Sequence, residues 1–204
     1  MSIQHLTALG AGVLGAQIAF QAAFHGVKVV SYDINDEALT AAKTRFEALS
    51  HHYRRDLGAD DAAIEQAFER LSQSSDLQQA VKNADIIIEA VPEKLSLKQQ
   101  VWQSVGQLAK KDCIFATNTS TILPSKFSQS SGDVSRFLAM HFGNDIWKQN
   151  VVEIMGTKDT HQAIIDQTIA FGEQMGMVPV LVKKEQSTWR IKQTNKNQSL
   201  RLVF

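Results

Sequence analysis

The sequence predicts an α/β fold: a doubly wound, mainly parallel sheet with helices on both faces. Three observations carry this. Short apolar stretches of strand length alternate with longer amphipathic ones along most of the chain. A Gly-x-Gly-x-x-Gly spacing at residues 10–15 stands between the first strand and the first helix. Three consecutive isoleucines, Ile86 to Ile88, are β-branched and uninterrupted by a polar residue, as in a strand buried on both faces.

The elements follow in order. Residues 3–9 (IQHLTAL) read as a strand, and residues 16–26 (AQIAFQAAFHG) as an apolar-rich helix closed by Gly26. KVVSYDI is a second strand. From Asp36 to Ser72 the spacing predicts two helices broken near Leu57-Gly58, and SDLQQAVKNA predicts a short helix with a Ser/Asp cap. Then come the strand DIIIEAVP, the amphipathic helix LSLKQQVWQSVGQLAK and the strand CIFATNT. Ile122 to Gln129 reads as a short helix or turn. RFLAMHF and NVVEIMGT are strands, Asp159 to Met175 is helical, and MVPVLVKK is the last strand. No internal repeat interrupts this order. Residues 187–204 differ: they are polar, rich in Lys, Asn and Gln, and without helix or strand period, so they read as a solvated tail after a domain spanning 1–186.

The bulk properties narrow the function. The chain has 204 residues, 44% hydrophobic, which suits one domain with a real core. Its 21 basic and 21 acidic residues balance, so nothing electrostatic favours nucleic acid or an anionic membrane as partner. No stretch approaches the ~18–20 unbroken apolar residues of a membrane span, and the N-terminus lacks the pattern of a signal peptide. A cytoplasmic location is the expectation. The single cysteine, Cys113, lies in the apolar run CIFAT and reads as a core residue. The six histidines show no metal-ligand spacing; His51, His52 and His161 look like surface helix positions.

The turn of Gly10, Ala11, Gly12, Val13, Leu14 and Gly15 is the candidate cofactor site. Gly10 permits a tight turn, Gly12 leaves room for a pyrophosphate against the backbone, and Gly15 lets helix and strand pack closely. The anion then rests on unpaired N–H groups at the helix N-terminus. Asp33 ends the second strand, where a carboxylate accepts hydrogen bonds from ribose hydroxyls and repels a 2′-phosphate. That combination favours NAD over NADP in a Rossmann-type fold. The plainer alternative is that Asp33 caps the helix starting near Asn35.

The second half narrows the reading to a family. The motifs are GAGVLG at 10–15, Asp33, EAVPEKLSLKQQVW at 89–102, ATNTSTI at 116–122, HFGN at 141–144 and VVEIM at 151–155. With these in order, residues 3–186 resemble the N-terminal domain of the 3-hydroxyacyl-CoA dehydrogenases, which include the 3-hydroxybutyryl-CoA dehydrogenases. The resemblance implies NAD-dependent interconversion of 3-hydroxyacyl-CoA and 3-oxoacyl-CoA, a place in fatty-acid β-oxidation, an acyl-CoA substrate and a homodimer. Oxidising a secondary alcohol needs a base for the hydroxyl proton, and an imidazole suits that task. A histidine after a strand is more often structural; the match to the family's H-F-x-N motif makes His141 the catalytic base. Glu153 matches the glutamate that orients the histidine. Its neighbours Val151, Val152, Ile154 and Met155 are apolar, so a carboxylate there needs a partner or must face solvent. Ser120 matches the serine that hydrogen-bonds the substrate's 3-oxygen and borders the cofactor, with Asn118 beside it at the substrate; either Ser120 or Thr121 could instead cap the next helix. Asn144 matches a residue near the nicotinamide. Glu93 and Lys98 match cofactor contacts, the alternative being solvated residues at the start of a helix.

The chain also departs from the pattern. Gly143, Asp145 and Ile146 replace the aromatic and proline of the commoner HFFNP, which leaves the acyl chain length open. After Gln186 the expected glycine and asparagine of the family are absent, and a polar tail stands where a helical domain usually follows. Back-translated and shifted by one base, residues 188–193 permit Pro-Gly-Val-Leu-Asn, so a frameshifted tail is one account and a minimal homologue another. On either account the isolated chain is expected to bind NAD and to turn over acyl-CoA weakly. The alternatives are a non-catalytic NAD-binding fragment and a reductase of small hydroxy acids.

Overall fold

The computed structural model describes residues 3–183 and residue 185. The tail expected over 187–204, with its frameshift account, lies outside the described residues. Eight strands form one sheet: β1 (His5–Leu9), β2 (Lys28–Tyr32), β3 (Leu71–Ser74), β4 (Ile86–Glu89), β5 (Ile114–Thr117), β6 (Phe137–Phe142), β7 (Val151–Gly156) and β8 (Val178–Leu181). The helices are α1 (Val13–Phe24), α2 (Asp36–Leu57), α3 (Asp61–Glu69), α4 (Leu77–Val81), α5 (Leu95–Leu108) and α6 (Gln162–Gln174). Three short 3-10 turns cover Pro124–Lys126, Ser128–Ser131 and Val134–Arg136.

The strand order is β3-β2-β1-β4-β5-β6-β7-β8. The chain winds outward from β1 through β2 and β3, then returns to β4 on the other side of β1. A crevice therefore opens beyond the carboxyl ends of β1 and β4, where such sheets bind ligands. β1 to β6 are parallel; β7 pairs antiparallel with β6, and β8 parallel with β7. The two antiparallel neighbours need only the short link of residues 143–150, with no helical crossover between them.

Both faces of the sheet are buried. Ile86 and Ile88 join one core with Ile18, Phe20 and Tyr53 of α1 and α2 and Phe171 of α6. Ile87, between them, joins the opposite core with Trp102 and Val105 of α5. The period-two alternation thus feeds two apolar layers, each fully buried isoleucine stabilising the fold by about 1.5–3 kcal/mol. Cys113 belongs to the second layer, where burial pushes its thiol up to about 12.

Local chemistry sets the helix ends. Asn35 Oδ1 accepts from Ala38 N at the start of α2, and Gly58 ends that helix at φ +68°. Asp60 and Asp76 cap α3 and α4 in the same way. The break at Leu57-Gly58 is where the sequence placed it. β3 is a correction to the helical reading of Asp36–Ser72: Leu71 and Ser72 lie in a strand. Its residues LSQS carry little apolar signal, and the strand exists because β2 offers an edge, with Val29 N donating to Arg70 O. α6 starts at Gln162 rather than Asp159. Thr160 Oγ1 instead accepts from Thr157 N and donates to Phe137 O, making a turn of residues 157–160.

Candidate active site

The glycine turn leaves the end of β1 and enters α1. Gly10 has φ +95°, and a Cβ there would lie 2.9 Å from the Ala90 carbonyl oxygen. A Cβ at Gly15 would lie 1.8 Å from the Gly10 carbonyl oxygen, so the first turn of α1 rests directly on the backbone below it. Gly12 is different: a Cβ there would meet nothing within 4 Å. It is the N-cap residue of α1, and no side chain among the described residues caps the helix. The residues present therefore fit a dinucleotide: open space at Gly12, with uncapped N–H groups behind it.

Asp33 Oδ2 accepts from Ala11 N at 2.7 Å, and Oδ1 accepts from Ile34 N at 2.8 Å. The carboxylate thus ties the end of β2 to the glycine turn. It does not cap α2; Asn35 does. Val13 is 63% and Ile34 78% exposed, so the surface around the turn presents apolar side chains to solvent.

The second group of residues meets across the sheet. The β6–β7 register sets His141 directly opposite Glu153. Leu138, Met140 and Phe142 of β6 enter the core shared with α1, so His141, between the last two, points to the other face. There its Nδ1 lies 3.3 Å from Glu153 Oε2 and its Nε2 lies 3.1 Å from Ser120 Oγ. Glu153's side chain is 5% exposed and that of His141 is 17% exposed, while Ser120 is at the surface. An imidazole whose Nδ1–H donates to the carboxylate keeps Nε2 free of its own proton, turned toward the open side.

Ser120 sits on a turn of residues 119–122 that wraps one carboxylate oxygen. Glu93 Oε1 accepts from Ser120 N (3.0 Å), Thr121 N (2.7 Å) and Ile122 N (3.2 Å), and from the hydroxyls of Thr119 (2.6 Å) and Thr121 (3.0 Å). Burial raises the Glu93 pKa, but the hydrogen bonds from Thr119 and Thr121 and the charge of Lys98 outweigh it and hold the group at about 2. Lys98, only 1% exposed, places Nζ 2.7 Å from Glu89 Oε1 and 3.2 Å from Glu93 Oε2. The solvated alternative for Lys98 is thereby corrected: two carboxylates draw its ammonium inward. Glu89, fully buried at the end of β4, also takes Thr117 Oγ1 at 2.8 Å.

Asn118 is buried, and its Oδ1 accepts from Phe142 N at 2.8 Å, tying the end of β5 to the end of β6. Asn144 is exposed in the bend after β6. The next residue, Asp145, has φ +58° and donates its N–H to Gln17 Oε1 at 2.8 Å. A proline, with φ near −65° and no N–H, fits neither condition, which gives the departure from HFFNP a physical reason. Trp147 Nε1 and Lys148 Nζ both reach Asp56 Oδ2, fastening the same segment to α2.

The structure thus brings Ser120, His141 and Glu153 into one line, with Asn118 joining the strand ends beneath it, while Asn144 lies exposed in the bend after β6. The glycine turn and Asp33 form a separate group at the same end of the sheet. Sequence reasoning missed Glu89, Thr117, Gln17 and Asp56. Only Glu89 left a signal, as a carboxylate closing an all-apolar strand. Among the described residues no group of three His, Cys, Asp or Glu side chains could hold a metal ion.

The doubly wound sheet and the glycine turn together define a dinucleotide-binding domain of Rossmann type. The chain belongs to the 3-hydroxyacyl-CoA dehydrogenase family: residues 5–186 match its NAD binding domain. It is 30% identical over 186 residues to the mitochondrial hydroxyacyl-coenzyme A dehydrogenase of Rattus norvegicus, covering 89% of this chain and 59% of that one. It is 33% identical over 184 residues to an L-carnitine dehydrogenase of a Pseudomonas species, covering 90% and 56%. A diketoreductase of solved structure superposes with a TM-score of 0.91 at 47% identity, covering 94% of this chain and 68% of that one. The chain thus spans under two thirds of the length of these two curated relatives. The cofactor of the matched domain is NAD.

Proposed function

We propose that the chain supplies the NAD-binding and acid–base half of a dehydrogenase that interconverts 3-hydroxyacyl and 3-oxoacyl compounds, with acyl-CoA as the substrate class. The observation that carries this is the line Ser120 Oγ–His141 Nε2–Glu153, 3.1 and 3.3 Å between successive groups. His141 Nε2 takes the proton of the substrate's 3-hydroxyl. Glu153 keeps the ring oriented and stabilises the imidazolium, as the acid does behind a protease histidine. Ser120 Oγ hydrogen-bonds the substrate oxygen, and Asn118 keeps β5 and β6 in step beneath it. NAD, when bound, would supply the hydride acceptor for the carbinol carbon. The turn of residues 10–15 would hold its pyrophosphate and Asp33 its adenosine ribose, with Asn144 near the nicotinamide; Lys98, buried between Glu89 and Glu93, would act on the cofactor only through Glu93.

This reading makes residues 1–186 one cofactor domain, with a second wall of the substrate cleft coming from further protein, in the same chain or a homodimer partner. A fatty-acid β-oxidation role and a cytoplasmic location follow from the same reading. No helix among the described residues is long and apolar enough to cross a membrane. A second reading has specific support. The 47% identity to a diketoreductase, described as acting on dicarbonyl compounds, favours a smaller 1,3-dicarbonyl substrate without CoA.

The test is an NADH titration of the chain followed by fluorescence, then addition of acetoacetyl-CoA, then of a free 3-oxo ester. NADH should bind more tightly than NADPH, and acetoacetyl-CoA should oxidise it. Oxidation by the ester alone selects the diketone reading, and binding without turnover even in an assembly that completes the cleft selects a non-catalytic domain. Failure to bind NADH, or preference for NADPH, would sink the proposal.

A further inference from the structure

We propose that Glu93 is a positioning residue: its carboxylate, braced from beneath by Lys98, shapes the 119–122 turn so that Ser120 Oγ meets His141 Nε2. The proposal deepens the dehydrogenase reading and rests on it in naming Ser120 and His141 as the working pair.

Three successive backbone N–H groups and two hydroxyls converge on one oxygen of Glu93. Hydrogen bonds to an ionised acceptor are roughly twice as strong as neutral ones, and here they fold a short exposed turn around a point. The same turn is held from below. Thr119 N donates to Thr117 Oγ1 at 3.2 Å, and Thr117 Oγ1 donates to Glu89 Oε2 at 2.8 Å. One ammonium, Lys98 Nζ, joins Glu89 to Glu93 at 2.7 and 3.2 Å. The turn after β5 is therefore clamped between two carboxylates carried by the β4–α5 crossover. Lys98 belongs to the first turn of α5, which helix packing fixes. Ser120 projects from this clamp toward His141 from a loop position that a serine alone could not hold. A displacement of about 1 Å at a reacting group costs on the order of a hundredfold in rate, so a clamp of this kind acts on the chemistry without touching the reacting atoms.

The experiment uses the 15N-labelled chain without cofactor, so its result does not depend on turnover. Amide exchange at Ser120, Thr121 and Ile122 and the imidazole 15N signals of His141 are compared in the parent, Glu93→Gln and Ser120→Ala. Glu93→Gln should speed exchange of the three amides by about tenfold or more, as expected for losing charged hydrogen bonds. It should also move the His141 signals to their positions in Ser120→Ala, with β1 and β4 amides unchanged. Unaltered exchange at the three amides, or unaltered His141 signals, would overturn the proposal. Should Glu93→Gln prevent folding, Thr121→Val removes one hydroxyl from the clamp. It should raise exchange at the same amides by about threefold, and no change there overturns the proposal equally.

Discussion

The glycine turn at 10–15 and the Ser120–His141–Glu153 line lie at the same end of one sheet, yet they are made by opposite means. The turn is contiguous, and it works through side chains that are missing. Gly10 and Gly15 are excluded from bearing a Cβ by neighbouring backbone at 2.9 and 1.8 Å. The Ser120–His141–Glu153 line gathers residues from three segments and is built from side chains that are present. His141 and Glu153 meet because an antiparallel pair sets them opposite, and Ser120 is brought in by a carboxylate 27 residues away. Backbone geometry defends the first region and a polar network the second. Damage should accordingly show as lost folding in one and as lost turnover in the other.

The sharpest form of that contrast is chemical. His141→Gln should lower turnover by about 10²–10⁴-fold with NADH affinity retained, measured in an assembly active toward acetoacetyl-CoA. Glu153→Gln should cost less, because the ring keeps a neutral partner. Equal loss of NADH binding in both variants would erase the division between the regions. Next comes a difference within the glycine turn. Gly15→Ala should destabilise the chain by about 3 kcal/mol or more, read as a shift in urea midpoint, since backbone must move. Gly12→Ala should stay within about 1 kcal/mol of the parent, the scale of an N-cap change, while weakening NADH binding. A fully stable, fully binding Gly12→Ala would show that the open space there holds no ligand.

The smallest effect concerns acid. Glu93 titrates at about 2 in the folded chain against 4.5 unperturbed. A depressed carboxylate contributes stability above its unfolded value and loses it as pH falls through the folded one. The parent should therefore lose stability between about pH 4.5 and about pH 2. In Glu93→Gln the slope should be shallower, with Asp56, Asp85 and Asp133, also held below the usual carboxylate range, contributing to what remains. An identical slope in both proteins would mean that Glu93 is no more stabilised in the fold than in the unfolded chain.

Much of this is legible in the sequence. The break at Gly58, the Asp76 cap and the buried Ile86–Ile88 strand are local matters: a left-handed cap, a side chain reaching three residues along, and an alternation feeding two cores. Each is decided within a few residues. β3 was not legible, since Leu71–Ser74 is a strand only because β2 stands beside it. Lys98 was not either. A lysine in the first turn of a helix ordinarily faces water, and nothing nearby in sequence tells that Glu89 and Glu93 converge on it.

By itself the sequence determined the alternation of elements, the places where glycine is obligatory, and the residue types on which the proposed chemistry rests. These follow from short-range sterics and from hydrophobic period, which act between neighbours along the chain. Only the tertiary structure decided which side chains meet. The reversal of β7 set His141 opposite Glu153, Glu93 gathered the turn of Ser120, and Asp145 took a conformation that proline cannot. Those outcomes depend on strand order and register, which are settled by burial summed over the whole sheet and so belong to no single segment.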